Sequence, residues 1–361
     1  MRHSLQDSAT GWSSRCTNFV LILEETLRSL GLRNPPTEAA ERGRLAYALD
    51  GSVAPEAREL AAYLAWAFGA STQAVIHYGS RAQGRRTRSE SAFDYFVIVD
   101  QYADAYRSLA ATAGLHRAGW LVSSLARVLA PNVVSLRCRA PQGDRMAKVA
   151  VFSVQDFGRE TSDRARDHFT QARLMQHVVL AWVRDVAAER LVADAVVRTR
   201  RRTLEWIRPF LPDRFNVEDY GRALLAQSLR SEIRPEGTDH ARELFHAQRG
   251  TLVPVFEELL AEGTRTRVLV EHEATFSLRT PPGALERMRW RWFFRRSKAR
   301  NTIRLFKHIA LYDGWLDYVV HKIARASGEL ITVTERERRW PLVFVWPKFI
   351  RYLRTRPQRR N

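Results

Sequence analysis

The chain has 361 residues, 45% hydrophobic and 27% charged, with ten Trp and seventeen Phe; this excludes wholesale disorder and supports two or three modest domains with real cores. Its formal net charge of +19 favours anionic partners, whether nucleic acid, nucleotide phosphates or acidic lipid headgroups. Two cysteines, Cys16 and Cys138, exclude a disulfide framework or a metal knuckle, and no apolar run approaches the roughly 20 residues that span a bilayer.

The charge is uneven. From Arg287 onward, twenty Lys and Arg stand against five Asp and Glu, so the positive field belongs to the C-terminal part. The N-terminal residues do not predict a secretory leader. The expected location is cytoplasmic and reducing, with any membrane contact peripheral, at the inner face.

Residues 1–54 predict a helical segment: "CTNFVLILEETLRSL" has helical apolar spacing and stops at Gly31, and "RNPPTEAAERG" predicts a turn and a helix start. A second unit is expected over 55–180. In it "APEARELAAYLAWAFG" predicts a helix ending at Gly69, and "QAVIHYGS" a strand running into a tight turn. "FDYFVIVD" predicts a second strand, apolar throughout and therefore buried on both faces. Residues 102–129 return to helical spacing, and "NVVSLRCRA" and "AKVAVFSV" predict a hairpin joined through "PQGD". After Val154 the pattern is mainly helical. Residues 167–211 predict two long helices, Asn216 an N-cap for the next, and "RVLVEHEATFSLRTPPG" a small hairpin, which together suggest a helical domain over 181–284. In the last unit, 285–361, "NTIRLFKHIALYDGWLDYVVHKIARA" predicts an amphipathic helix. Its apolar face is Leu305, Phe306, Ile309, Leu316, Val319, Val320 and Ile323.

The chemistry concentrates in "HYGSRAQGRRTRSESAFDYFVIVD", His77 to Asp100. Gly79 has no side chain to keep a ligand phosphate from the backbone. N–H groups at a strand-to-helix turn, with the Ser80 hydroxyl, can hold an anion, and Asp94 at the mouth of an apolar strand can hold Mg²⁺. A strand, a solvated basic loop and a second strand would also account for the pattern. In nucleotidyltransferases of the polymerase-β type, such a turn grips the β- and γ-phosphates while a strand-borne acid holds Mg²⁺ over the α-phosphate. Those enzymes usually carry two acids; here Ser91-Ala92-Phe93-Asp94 supplies one. Asp100 and Glu232 are candidates for the second. Lys148, between apolar strand residues, would be costly to bury unpaired, which a phosphate or an exposed sheet edge would each relieve. His77 reads as a core histidine.

Several ordered pieces carry a family resemblance. Tyr78-Gly79-Ser80, the run Phe93-Asp94-Tyr95-Phe96-Val97-Ile98-Val99, and Lys148-Val149-Ala150-Val151-Phe152-Ser153 come first. Ala172-Arg173-Leu174-Met175-Gln176, Leu211-Pro212-Asp213-Arg214-Phe215 and the segment Gln227 to Arg234 follow, then Arg295, Ser297, Arg300 and Arg304. In that order they resemble the motifs of the mitochondrial-type phosphatidate cytidylyltransferases, peripheral CDP-diacylglycerol synthases of the polymerase-β-like nucleotidyltransferase superfamily. The likeness spans roughly residues 75–240 and 295–307. Departures are Arg81 for a second glycine, Glu232 for an aspartate, and no clear counterpart of the family's Trp-His…His-Tyr-Ser segment.

The resemblance implies an α+β fold: a nucleotidyltransferase domain, a helical, winged-helix-like domain and a basic amphipathic C-terminal region. It implies CTP and phosphatidate as substrates and Mg²⁺ as cofactor. Asp94 and Lys148 would be catalytic; Gly79, Ser80, Lys148 and Arg173 would bind nucleotide. Asp94 and Glu232 would bind metal, and Arg234, Arg300 and Arg304 phosphate or lipid. Two basic-aromatic stretches, "RWRWFFRRSKAR" and "RRWPLVFVWPKFIRYLRTRPQRR", suit an anionic membrane surface. The alternatives are a nucleotidyltransferase acting on RNA, a small molecule or a protein, or a nonenzymatic nucleic-acid binder on a decayed scaffold.

Overall fold

In a computed structural model, residues 53–84, 92–113, 119–140, 143–231, 238–311 and 334–335 are described. The helices expected within 16–50, Glu232 and Arg234, and most of the segment beyond Leu311 lie outside the described residues. Helix α1 (Pro55–Phe68) starts on a proline, whose missing N–H is no loss in a first turn. It ends at Gly69, which takes the left-handed φ of +72° and caps the carbonyls of Ala65 and Trp66. Strand β1 (Thr72–Tyr78), the helical turn α2 (Gly79–Ala82), strand β2 (Phe93–Val99) and helices α3 (Tyr102–Thr112) and α4 (Gly119–Val128) follow. Then come β3 (Asn132–Ala140), β4 (Gly143–Ser153), α5 (Val154–Glu160), α6 (Phe169–Leu174), β5 (Val179–Val183) and α7 (Val186–Arg201).

The five strands form one mixed sheet in the order β3-β4-β2-β1-β5. β2 runs parallel to β4, and the other neighbours are antiparallel. Alternation along the strands divides the core between two faces. Phe93, Tyr95, Val97 and Val99 of β2 face α1, α3 and α4. Phe96 and Ile98 face the other way, with Ala150 and Phe152 of β4, and are covered by Phe157, Leu174, Val192 and Val196. As its sequence implies, β2 is almost wholly buried.

The two long helices expected over 167–211 are interrupted. Val179–Val183 pairs with β1 as β5, between α6 and α7, and α8 (Thr203–Ile207) follows α7. The segment is apolar enough for either state. What decides is the free edge of β1, whose backbone N–H and C=O groups need partners that a β-branched, aromatic run supplies. Fully buried Arg200 holds the turn before β5, donating to the carbonyls of Leu174 and Gln176. The boundary expected at 180/181 therefore falls inside a sheet strand, and the described residues on its two sides belong to one compact unit.

Helix α9 (Val217–Arg230) opens on Asn216, which forms a reciprocal capping box with Asp219. Helices α10 (Thr238–Ala247) and α11 (Arg249–Arg265) lead to the hairpin of β6 (Leu269–His272) and β7 (Thr275–Leu278). Helix α12 (Ala284–Leu311) ends the described fold. The basic-aromatic stretch at 289–300 is thus the body of a helix that also holds Leu305 and Phe306. Those two are only half-buried. The buried stripe is Trp290, Phe294, Ser297, Asn301 and Arg304, so the inner face turns polar where it meets Asp167 and the end of α4. No described helix is long and apolar enough to cross a membrane.

Candidate active site

Strand β1 delivers Tyr78 beside Asp94, its register partner on β2. The chain then bends at Gly79, whose φ is +82°. A Cβ placed there would stand 2.8 Å from Asp94 Oδ2. The Asp94 carboxylate therefore occupies the space that a side chain at 79 would need, and glycine suits both that proximity and the positive φ. Ser80 is the next residue of the bend. On the other side, Asp94 pairs in register with Lys148 of β4. Neighbouring strands lie about 4.8 Å apart, and both residues point to the face that carries Phe96 and Phe152. Both are half-buried.

Arg173 of α6 lies over the Phe169 ring at 3.8 Å and donates to the Phe169 carbonyl at 2.8 Å; its guanidinium is 5.8 Å from the Tyr78 ring. This brings a cation next to the strand end from which Gly79 departs. Gln83, at the end of the bend, donates to Gln176 at 3.1 Å, and Gln176 also accepts from Gln248 at 3.2 Å. The amide chain ties the bend to the helical part of the molecule.

Arg300 and Arg304 sit on α12 and converge on buried Asp167, at 3.0 and 2.7 Å. Burial works to raise the Asp167 carboxyl, but the two guanidiniums outweigh it and hold the pKa below the usual value. Arg304 also donates to the Ala130 carbonyl at 2.8 Å and lies 4.7 Å from the Phe169 ring. Both arginines are thus in a structural ion cluster beside the site. His308, which no sequence motif marks, bonds the Val133 carbonyl. Its pKa is lowered by burial and by the neighbouring charges of Lys148 and Lys307. An isolated histidine on an amphipathic helix gave no signal of that proximity.

Asp100 lies at the far end of β2, about 20 Å from Asp94 along the strand, where it accepts from Gln73 and Arg184. It is no second carboxylate for the site. His77 points to the opposite face, between the Phe93 and Tyr95 rings, and burial lowers its pKa to about 4. Arg81 also turns to that face, 4.2 Å over the Phe93 ring.

Among the described residues no group of three or more His, Cys, Asp or Glu side chains is gathered. Mg²⁺ needs only one or two carboxylates when substrate phosphates and water complete its octahedron. A half-buried Asp94 beside bare backbone at Gly79 fits that requirement. The sequence matches no protein-family model, and comparison with curated proteins finds no relative.

Proposed function

We propose that the protein is a polymerase-β-like nucleotidyltransferase that makes CDP-diacylglycerol and pyrophosphate from CTP and phosphatidate. The observation that carries the reading is the Asp94 carboxylate lying where a side chain at Gly79 would stand, with Lys148 one strand away on the same face. The mixed sheet, with the bend after its first strand and the acid on its second, is compatible with that fold.

A phosphatidate oxygen, already anionic, attacks the α-phosphorus of CTP. The bond from that phosphorus to the bridging oxygen of the β-phosphate breaks, and pyrophosphate leaves with the electron pair. No strong general base is needed, so the protein's work is alignment and charge neutralisation. Gly79 and Ser80 cradle the leaving pyrophosphate, while Lys148 balances phosphate charge beside it. Arg173, poised next to Tyr78, contributes a second cation to the nucleotide. Asp94 would hold Mg²⁺, which supplies charge neutralisation on the triphosphate when bound.

The test is incubation of the purified protein with labelled CTP, Mg²⁺ and phosphatidate micelles, with ATP in parallel. Wild type should yield a nucleotide-linked lipid. Asp94→Asn should lower the rate about a hundredfold or more, and Lys148→Met by less. Absence of a labelled lipid from wild type, or full activity in Asp94→Asn, would overturn the reading.

A further inference from the structure

We propose that the outward face of α12 is a docking surface for an anionic lipid bilayer. The helix packs on the rest of the protein through Trp290, Phe294, Ser297, Asn301 and Arg304. At about 100° per residue, Leu285, Met288, Trp292 and Ile303 fall within a sector roughly 60° wide, pointing almost directly away from that buried stripe. Their exposures are 77%, 63%, 65% and 57%. Four large apolar side chains held toward solvent on one line are not what packing alone produces.

The same wheel sets the charges. Arg287, Arg291, Arg295 and Lys298 run along one flank of the ridge, and Arg289 and Arg296 along the other; all six are exposed. Arg287, Arg291 and Arg295 also line a shallow depression together with Met288 and Trp292. An apolar ridge between two rows of cations matches the bilayer interface, where side chains enter the acyl boundary and guanidiniums meet lipid phosphates. Single-stranded nucleic acid would use several exposed rings for base stacking. Here Trp292 is the only ring among the exposed ridge residues, whose companions are aliphatic; Phe306, on the line of Met288, is half-buried.

The inference deepens the lipid-acceptor reading and takes its purpose from it: the helix that meets the membrane also brings His308 close to Lys148. Binding is measured separately from catalysis. The full chain is floated with vesicles of phosphatidylcholine alone or with phosphatidylglycerol, which contains no phosphatidate substrate. Wild type should float only with the anionic vesicles and be released by high salt. Each Arg→Gln change at 287, 291 and 295 should weaken partition about fivefold, and Trp292→Glu should abolish it. All four positions are exposed, so unchanged circular dichroism and thermal unfolding serve as the folding control. Asp94→Asn should float like wild type. Wild-type protein that ignores anionic vesicles, binds neutral ones equally, or keeps its affinity in Trp292→Glu would overturn the proposal. So would wild type that shifts a single-stranded oligonucleotide but not a vesicle. A chain that floats yet transfers no nucleotide would leave the docking surface standing and remove the catalytic reading.

Discussion

At the scale of single residues, the molecule is most constrained at Gly79. An L side chain at φ +82° costs about 1–2 kcal/mol in backbone strain, and the added Cβ would also press on Asp94 Oδ2. Gly79→Ala should therefore lower stability by roughly that amount and, on the proposed function, displace the carboxylate and lose most of the turnover. Denaturant unfolding and the CTP assay measure the two effects. A variant of unchanged stability and rate would show the approach is slack. Gly79 and Asp94 were legible as a pair because both belong to a local pattern, a bend after one strand and an acid opening the next. Lys148 was readable only as a residue type. Its place beside Asp94 depends on the parallel pairing of β2 with β4, which no local pattern encodes.

At the scale of elements, α12 is fastened by charge. Asp167 is 2% exposed and receives both Arg300 and Arg304, and Lys307 donates to the carbonyls of Leu125, Leu129 and Pro131 near the end of α4. Removing one partner of a buried pair leaves the other charge uncompensated, a loss of about 3–5 kcal/mol. Asp167→Asn should destabilise the protein by about that much, and hydrogen exchange should show α12 opening before the central strands. Exchange that is unchanged in α12 would mean the cluster does not hold it. The cluster also explains what the sequence could not show. A polar, arginine-rich inner face looks like a solvated one until Asp167 is known to lie beneath it, so apolar periodicity pointed to Leu305 and Phe306 instead. The capping box at Asn216 was legible because its partner, Asp219, is three residues away.

At the scale of the whole molecule, the sheet and the helices are each built around a neutral buried histidine, and this couples stability to pH. His77 sits on one face of the sheet and His168 among α6, α9 and α12, where it meets Ser228 at 2.9 Å and the Trp206 and Phe294 rings. Burial lowers their pKa values to about 4 and about 3, against about 6.5 in the unfolded chain. Between pH 6.5 and roughly 4 the unfolded state takes up protons that the folded state refuses. The stability these groups confer is complete above pH 6.5 and falls as the pH drops, by up to about 1.4 kcal/mol per unit for each histidine. His177 and His308 are shifted in the same direction. Glu160, whose carboxyl is raised by burial, opposes them in part. Denaturant midpoints measured at pH 7.5, 6 and 5 should fall steadily. His77→Phe, which keeps a ring between Phe93 and Tyr95, should flatten the slope by about one proton. A midpoint that stays level from pH 7.5 to 5, or a slope that His77→Phe leaves untouched, would mean these imidazoles reach solvent and protonate without unfolding.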